Sequence, residues 1–165
     1  MALSADEREG LMRRYAEGPA RIKAALAKVP EEARKWRPGP GQWSAHEVVC
    51  HCADSEMNAA ARIRFLAAEK QPTIQGYDEK VWAQALDYHN HPLEPALATV
   101  EAVRANTVAL LRHMPDGIWS RTGTHTESGH YSAEDWLNIY AKHLEGHSSQ
   151  IERNLAAWQE ARGRS

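Results

Sequence analysis

The chain has 165 residues, of which 42% are hydrophobic, and its formal net charge is −2. This length and composition suffice for one hydrophobic core, so we expect residues 1–165 to form a single domain. The 20 basic and 22 acidic side chains are intermixed, without the basic stripe that a nucleic-acid backbone or an anionic membrane surface would need. Nucleic acids and membranes are therefore poor candidates as partners.

The first predicted helices are marked by capping residues and apolar periodicity. Ser4 and Glu7 have the spacing of a capping box, and the apolar stripe that follows them ends at Pro30. A connector rich in proline and glycine follows, and Ser44 with Glu47 then has the same spacing and opens a second long helix, which runs to about residue 69. Both segments are predicted to turn one apolar face to the core.

The second half of the chain continues the helical pattern. Residues 77–88 predict a short helical piece, and residues 92–114 predict another core helix. The polar stretch 121–131 is expected to be a loop, after which Ser132 and Asp135 cap a final long helix. Four long helices with one short extra helix predict an all-α fold, a four-helix bundle.

Neither a membrane-spanning segment nor a secretory leader is predicted. No apolar run approaches the ~18 residues that a bilayer span needs. The N-terminal segment becomes charged at Asp6, with no signal-like apolar core. We therefore predict a cytoplasmic protein.

The two cysteines, Cys50 and Cys52, are predicted to be packing residues. On one helix their side chains diverge by about 160°, which does not favour a disulfide or a shared ion. Free cysteines are usually buried, so we expect these two to pack in the core.

His143 and His147 are four residues apart within the last predicted helix. At this spacing both imidazoles leave the same face of a helix and can bind one ion together. The face also carries Trp136, Tyr140 and Leu144, so the two polar rings point toward the core, where they need partners. From the spacing alone, a pair of hydrogen-bonded interior histidines explains the pattern equally well.

Asp54 follows His51 by three residues on the second long helix, so its carboxylate can reach that imidazole. Glu56 lies about 140° around the helix from His51, and we do not expect it to reach the ring. Asp54 either orients His51 or is a solvated surface residue.

Two stretches of sequence resemble a known family. The first is Trp43-Ser44 followed by His51 and Asp54, and the second is His143-Leu-Glu-Gly-His147. Their order and separation resemble the DinB-like (YfiT-like) superfamily of four-helix-bundle proteins, and the resemblance covers most of the chain. It implies a divalent ion, often zinc or nickel, held by one histidine of the second long helix and two of the last. In this chain these are His51, His143 and His147.

The resemblance also implies a function. Three neutral imidazoles leave open positions on the ion, which is typical of a catalytic site rather than a closed structural one. Family members are described as thiol-dependent transferases or as metal-dependent hydrolases. We therefore expect a metal-dependent enzyme acting on a small molecule, with a thiol S-transferase slightly favoured over a hydrolase. The alternative is a non-catalytic binding or stress-response module with a structural ion. Similar proteins often form dimers, so a homodimer is one option.

Other residues are candidates for the surroundings of the site, and no catalytic side chain is assigned. His125 and His130 lie in the predicted loop before the last helix, from which they could approach the ion or the substrate. Trp136 and Tyr140, like Trp43, either pack in the core or form walls of a pocket. The remaining histidines are predicted to be surface residues: His46, His89, His91 and His113.

Overall fold

The computed structural model describes residues 2–163, which fold into six α-helices, a 3₁₀ helix and three short strands. The helices are α1 (Ala5–Ala27), α2 (Glu31–Arg34), α3 (Ala45–Ala68), α4 (Glu79–Ala85), α5 (Leu93–His113) and α6 (Ala133–Gly163). The strands are β1 (Thr73–Ile74), β2 (Thr122–His125) and β3 (Gly129–Ser132), and the 3₁₀ helix is Asp116–Ser120. The long helices α1, α3, α5 and α6 form the predicted bundle, and α4 is the short extra helix.

The predicted caps fix where three of the long helices begin. At the start of α3, the backbone N–H of Glu47 donates to Ser44 Oγ over 3.2 Å, while the Glu47 carboxylate accepts from the Ser44 N–H over 2.9 Å. Ser4 caps α1 in the same reciprocal way. Ser132 and Asp135 exchange equivalent hydrogen bonds of 3.0 and 2.9 Å before α6. All three capping predictions are confirmed.

The packing of α6 places its histidines at the border of the core. α1 lies along α6, and α3 packs against both α5 and α6. Leu137, Leu144 and Ile151 are fully buried and mark the face of α6 that is turned to the bundle interior. Since His143 and His147 flank Leu144 on this helix, their rings are half-buried beside the core. Within residues 2–163, no helix is both long enough and apolar enough to cross a membrane.

The segment 121–131 forms a β-hairpin, so the prediction of a loop there was wrong. β2 pairs antiparallel with β3, with Thr124 opposite His130, and β1 adds a parallel edge to β2. Each hairpin strand has four residues, mostly threonine, glycine and histidine, so no run of alternating apolar residues marks it in the sequence. Backbone pairing between the strands, rather than an apolar pattern, determines this small sheet.

His46 is buried, and its prediction as a surface residue was wrong. Its side chain is 6% exposed, and its Nε2–H donates to the carbonyl of His91 over 2.8 Å. The loop between α4 and α5 covers the first turn of α3, which helical periodicity does not reveal. His91 and His113 are exposed as predicted, and His89 is half-buried.

Cys50 and Cys52 are both buried and free, as predicted. Burial raises the pKa of Cys50 to about 12 and the pKa of Cys52 well above its ordinary value. Both side chains are therefore neutral thiols near pH 7, which suits packing and not nucleophilic chemistry.

Gly18 lies at a close approach between α1 and α6. A Cβ built on Gly18 would lie 2.9 Å from Leu144 Cβ and 3.0 Å from Arg104 Nη1. We expect Gly18→Ala to lower the free energy of unfolding by about 1–3 kcal/mol, because the two helices must move apart to admit the methyl group. Urea denaturation of the two proteins measures this difference.

Gly10 provides the matched control on the same helix. A Cβ there would have its nearest neighbour, Arg13 Nη2, 4.0 Å away. Gly10→Ala is expected to raise the free energy of unfolding by about 0.5–1 kcal/mol, because alanine is the better helix former. If Gly18→Ala were equally stabilising, the close packing of α1 on α6 would be contradicted.

Candidate metal centre

Three histidines converge between α3 and α6. His51 projects from α3, and His143 and His147 project from successive turns of α6. One ring nitrogen can be chosen from each so that all three atoms lie within 4.8 Å of one another. The rings meet edge to face, with centroids 5.5 Å apart for His51 and His143, 4.8 Å for His51 and His147, and 4.5 Å for His143 and His147. The predicted ligand set is therefore brought together by the fold.

His51 is a fully buried imidazole without a hydrogen bond. Neither of its ring nitrogens has a hydrogen-bond partner within residues 2–163, and the Trp43 ring packs 4.7 Å from it. Burial lowers the pKa of His51 to about 2, with a further contribution from His147 and His143. Buried polar groups are normally paired, so this neutral ring fits a ligand that reserves a lone pair for a metal ion.

Gln150 orients His147. The side-chain oxygen of Gln150 lies 2.9 Å from Nδ1 of His147, which makes Nδ1 the protonated nitrogen and leaves the Nε2 lone pair free. Burial, together with the nearby His143, lowers the pKa of His147 to about 4. His147 is thus a neutral imidazole with a defined tautomer.

Glu56 faces His143 from behind. Its Oε1 lies 3.6 Å from Nδ1 of His143, which favours a proton on Nδ1 and a lone pair on Nε2. That Nε2 lies 3.2 Å from the Nε2 of His147 and 3.3 Å from Ser55 Oγ. Without a metal ion, the two Nε2 atoms can share one hydrogen bond at this distance, and with an ion both can direct a lone pair at it. A carboxylate behind a histidine is also the usual support of a metal ligand.

Arg104 holds the Glu56 carboxylate in place. Its Nε donates to Glu56 Oε2 over 2.7 Å, Nη2 donates to the other oxygen, and both side chains are almost completely buried. Burial raises the pKa of Glu56, but the contacts with His143 and Arg104 outweigh it and lower the pKa overall. The carboxylate that faces His143 is therefore ionised.

Comparison with known proteins identifies the family. The sequence pattern of the DinB superfamily matches residues 14–151, which include all three histidines. The chain belongs to the DinB superfamily. The resemblance stated from the sequence is thereby confirmed, and so is the bundle fold.

Two relatives of this DinB superfamily chain illustrate the similarity. YfiT from Bacillus subtilis is 27% identical over 151 residues, which cover 91% of the chain and 85% of YfiT. Its solved structure superimposes with a TM-score of 0.86 over 93% of the chain and 88% of YfiT, and is described as a probable metal-dependent hydrolase with an unusual four-helix bundle topology. OB0782 from Oceanobacillus iheyensis, provisionally named a metal-dependent hydrolase, is 40% identical over 111 residues. That alignment covers 67% of the chain and 64% of OB0782, so the chain spans less than two thirds of this relative.

Asp54 does not bond to His51 in this DinB superfamily structure. Its carboxylate accepts a hydrogen bond from the hydroxyl of Tyr88 instead. Two other carboxylates lie beside histidines of the cluster: Glu56, which contacts His143 across the bundle, and Glu79, whose Oε1 lies 4.0 Å from Nε2 of His51. The spacing of residues along α3 shows only which side chains of that helix are neighbours, whereas the histidine that Glu56 contacts lies on α6.

The sequence reasoning also missed Arg104, although a signal for it was present. Arg104 lies four residues after Val100 and three before Thr107, within the buried stripe of α5. Glu56 fills the equivalent gap between Cys52 and Ala59 on α3. Opposite charges at two buried positions of facing helices indicate a pair, because an unpaired buried charge is too unfavourable to persist.

The predicted aromatic residues occupy different surroundings. Trp136 is a core residue whose Nε1–H donates to the carbonyl of Ala59 over 2.8 Å. The Tyr140 ring lies 5.8 Å from the His143 ring, and its hydroxyl accepts from Arg62 over 2.9 Å. Tyr140 therefore borders the histidine cluster, while Trp136 packs against the Tyr140 ring in the core.

His125 and His130 lie on the hairpin, outside the three-histidine group. Nδ1 of His125 accepts the backbone N–H groups of Glu127 and Ser128 over 3.2 and 3.4 Å, which stabilises the turn. The side chain of His130 is exposed. Within the described part of the chain, neither residue adds a nitrogen to the cluster.

Acidification is expected to destabilise the metal-free protein. The pKa values of His51 and His147 are lowered from 6.5 to about 2 and about 4, so the unfolded chain binds protons below pH 6.5 that the folded chain does not. Stability is therefore full above about pH 6.5 and falls as the pH decreases toward about 4. At about pH 5.5 each histidine removes about 1 kcal/mol.

Urea denaturation in the presence of a chelator, at about pH 7.5 and about pH 5.5, measures this effect. The variant His147→Ala should lose less stability between these two pH values, because one of the histidines with a lowered pKa is gone. Equal stability of the original protein at both pH values would show that the histidines are not held neutral by burial.

Proposed function

We propose that this protein is a metal-dependent hydrolase whose divalent ion, zinc or nickel, is held by His51, His143 and His147. The observation that carries the proposal is the convergence of three imidazoles whose potential ligand atoms lie within 4.8 Å of one another. Imidazole nitrogen suits both ions, and three protein ligands leave positions open for water and substrate. The names of the relatives as metal-dependent hydrolases support the same reaction class.

The ion, when bound, supplies Lewis acidity and lowers the pKa of water toward neutrality, so that a nucleophile is available for hydrolysis. The chain supplies the orientation of the ligands. Glu56 and Gln150 hold His143 and His147 with their Nδ1 protons directed away from the site, and Trp43 covers the ring of His51. These contacts prepare the three nitrogens before any ligand arrives.

The thiol S-transferase that was slightly favoured from the sequence takes second place. The names of the relatives describe hydrolases, and both buried cysteines are neutral, so any thiol would have to come from a second substrate. The structural-ion alternative predicts stabilisation by metal without turnover.

Metal reconstitution tests the proposal. Protein stripped by a chelator is loaded with one equivalent of zinc or nickel and assayed against a panel of activated esters, amides and phosphoesters. A parallel assay measures the displacement of chloride from 1-chloro-2,4-dinitrobenzene by the cysteine thiolate. We expect hydrolysis that appears with metal, disappears with chelator, and is absent in His147→Ala.

The other outcomes separate the alternatives. Metal-dependent thiol addition without hydrolysis would overturn the proposal in favour of the transferase. Stoichiometric metal that raises the melting temperature, with no turnover in either assay, would identify a structural ion. Exposed His113→Ala is the control variant that should retain all metal-dependent activity.

A further inference from the structure

A cavity of about 550 Å³ adjoins the histidine cluster. Three of its lining residues also contact the cluster: Trp43 packs on His51, Glu79 Oε1 lies 4.0 Å from Nε2 of His51, and Gln150 accepts from His147. The volume is within the range of roughly 300–1,000 Å³ that small-molecule sites have. The inner end of this cavity is therefore formed by residues that contact His51 and His147.

The wall formed by α6 is a single helix face. Gln150, Arg153, Asn154 and Ala157 have the spacing of neighbours on one side of a helix, and all four line the cavity. Asn154 fixes the opposite wall, because its side-chain amide donates to the carbonyl of Trp43 over 2.9 Å. Since a helix rises about 1.5 Å per residue, Arg153 lies about 4.5 Å further from the cluster along α6 than Gln150.

Two cations line this cavity without a carboxylate partner. Arg153 on α6 and Lys80 on α4 are exposed, and among the ion pairs of residues 2–163 neither takes part. Nearby basic residues are paired, such as Arg37 with Glu47 and Arg162 with Glu32. The single carboxylate that lines the cavity, Glu79, lies toward His51. The cavity thus has an excess of positive charge.

We propose that this cavity binds a small substrate with a carboxylate group, which Arg153 and Lys80 hold while the opposite end of the molecule reaches the three histidines. This assignment rests on the proposed function, since it names the substrate class of the same site. The Trp43 ring offers an apolar surface for the body of such a molecule. A carboxylate suits the arginine in particular, because the guanidinium can donate two parallel hydrogen bonds to it.

Binding to metal-free protein tests the assignment without requiring turnover. In the presence of a chelator, calorimetry compares 4-phenylbutanoate with 4-phenylbutanamide, which differ in charge but hardly in size. We expect the carboxylate to bind about ten-fold more tightly, as one or two charge-assisted hydrogen bonds provide. The double variant Arg153→Ala with Lys80→Ala should remove this preference, whereas Lys142→Ala, at another exposed cation on α6, should preserve it.

A charge reversal sharpens the test. The double variant Arg153→Glu with Lys80→Glu should prefer 4-phenylbutan-1-amine to the carboxylate. Equal binding of acid and amide by the original protein, no binding of either, or a preference that survives the double alanine variant would each overturn the assignment. Because metal is absent, a failure of the hydrolase proposal leaves these results unchanged, and the two failures are distinguishable.

Discussion

Arg104→Met is expected to lower the free energy of unfolding by about 3–5 kcal/mol, the loss typical of a broken buried ion pair. The substitution leaves the ionised Glu56 without its partner inside the bundle. It also removes the donors to the carbonyls of Tyr15 and Tyr140, which lie 2.6 and 3.2 Å from the guanidinium. Arg104 thereby connects α5 to each of the other three long helices. Urea denaturation in chelator measures the loss without a contribution from bound metal.

Arg14 provides the control for Arg104. It pairs with Glu145 over 2.6 Å, but the two side chains are 40% and 39% exposed. Arg14→Met should change stability by at most about 1 kcal/mol. The double variant Arg104→Met with Glu56→Leu should be more stable than Arg104→Met alone, because no unpaired charge remains. If Arg104→Met were as mild as Arg14→Met, the buried pair would not hold the bundle together.

His147→Ala is expected to abolish stoichiometric binding of zinc or nickel. Two of the three nitrogens remain, and they cannot enclose the ion. For comparison, Gln150→Leu removes only a hydrogen-bond partner of His147 and should lower the affinity for the metal about 10–100-fold. The decrease in affinity for His147→Ala should be larger than this. Calorimetric titration of chelator-treated protein gives both affinities, and circular dichroism checks that the helices persist.

His113 supplies the matched histidine for this comparison. It lies exposed at the end of α5, and His113→Ala should bind the metal as the original protein does. Stoichiometric, tight metal in His147→Ala would show that α6 contributes no more than one ligand, and the three-histidine site would have to be abandoned.

The helical bundle and the three converging histidines could be predicted from the sequence, because helical periodicity and capping boxes are local signals. His143 and His147 share a helix face whatever the tertiary structure, and the family resemblance added His51. The assembly as a homodimer and the cytoplasmic location stay predictions.

Residues whose role depends on another helix were not predictable in this way. Glu56 was set aside because it does not face His51, yet its partners are His143 and Arg104 on other helices. His46 was assigned to the surface because the loop that covers it is distant along the chain. The hairpin was missed because its strands are stabilised by pairing and not by an apolar pattern. Local signals predict elements, and only packing shows which side chains meet.

The position of the three histidines along the chain determines when the site can first exist during synthesis. His51 is made early, whereas its companions are on α6, the last described helix, which also supplies the surface on which α1 packs. A nascent chain on the ribosome therefore presents only one of the three candidate ligands until α6 has emerged, and it could not bind an ion tightly at this site before then. Metal loading at this site would consequently be a late event that reports closure of the bundle.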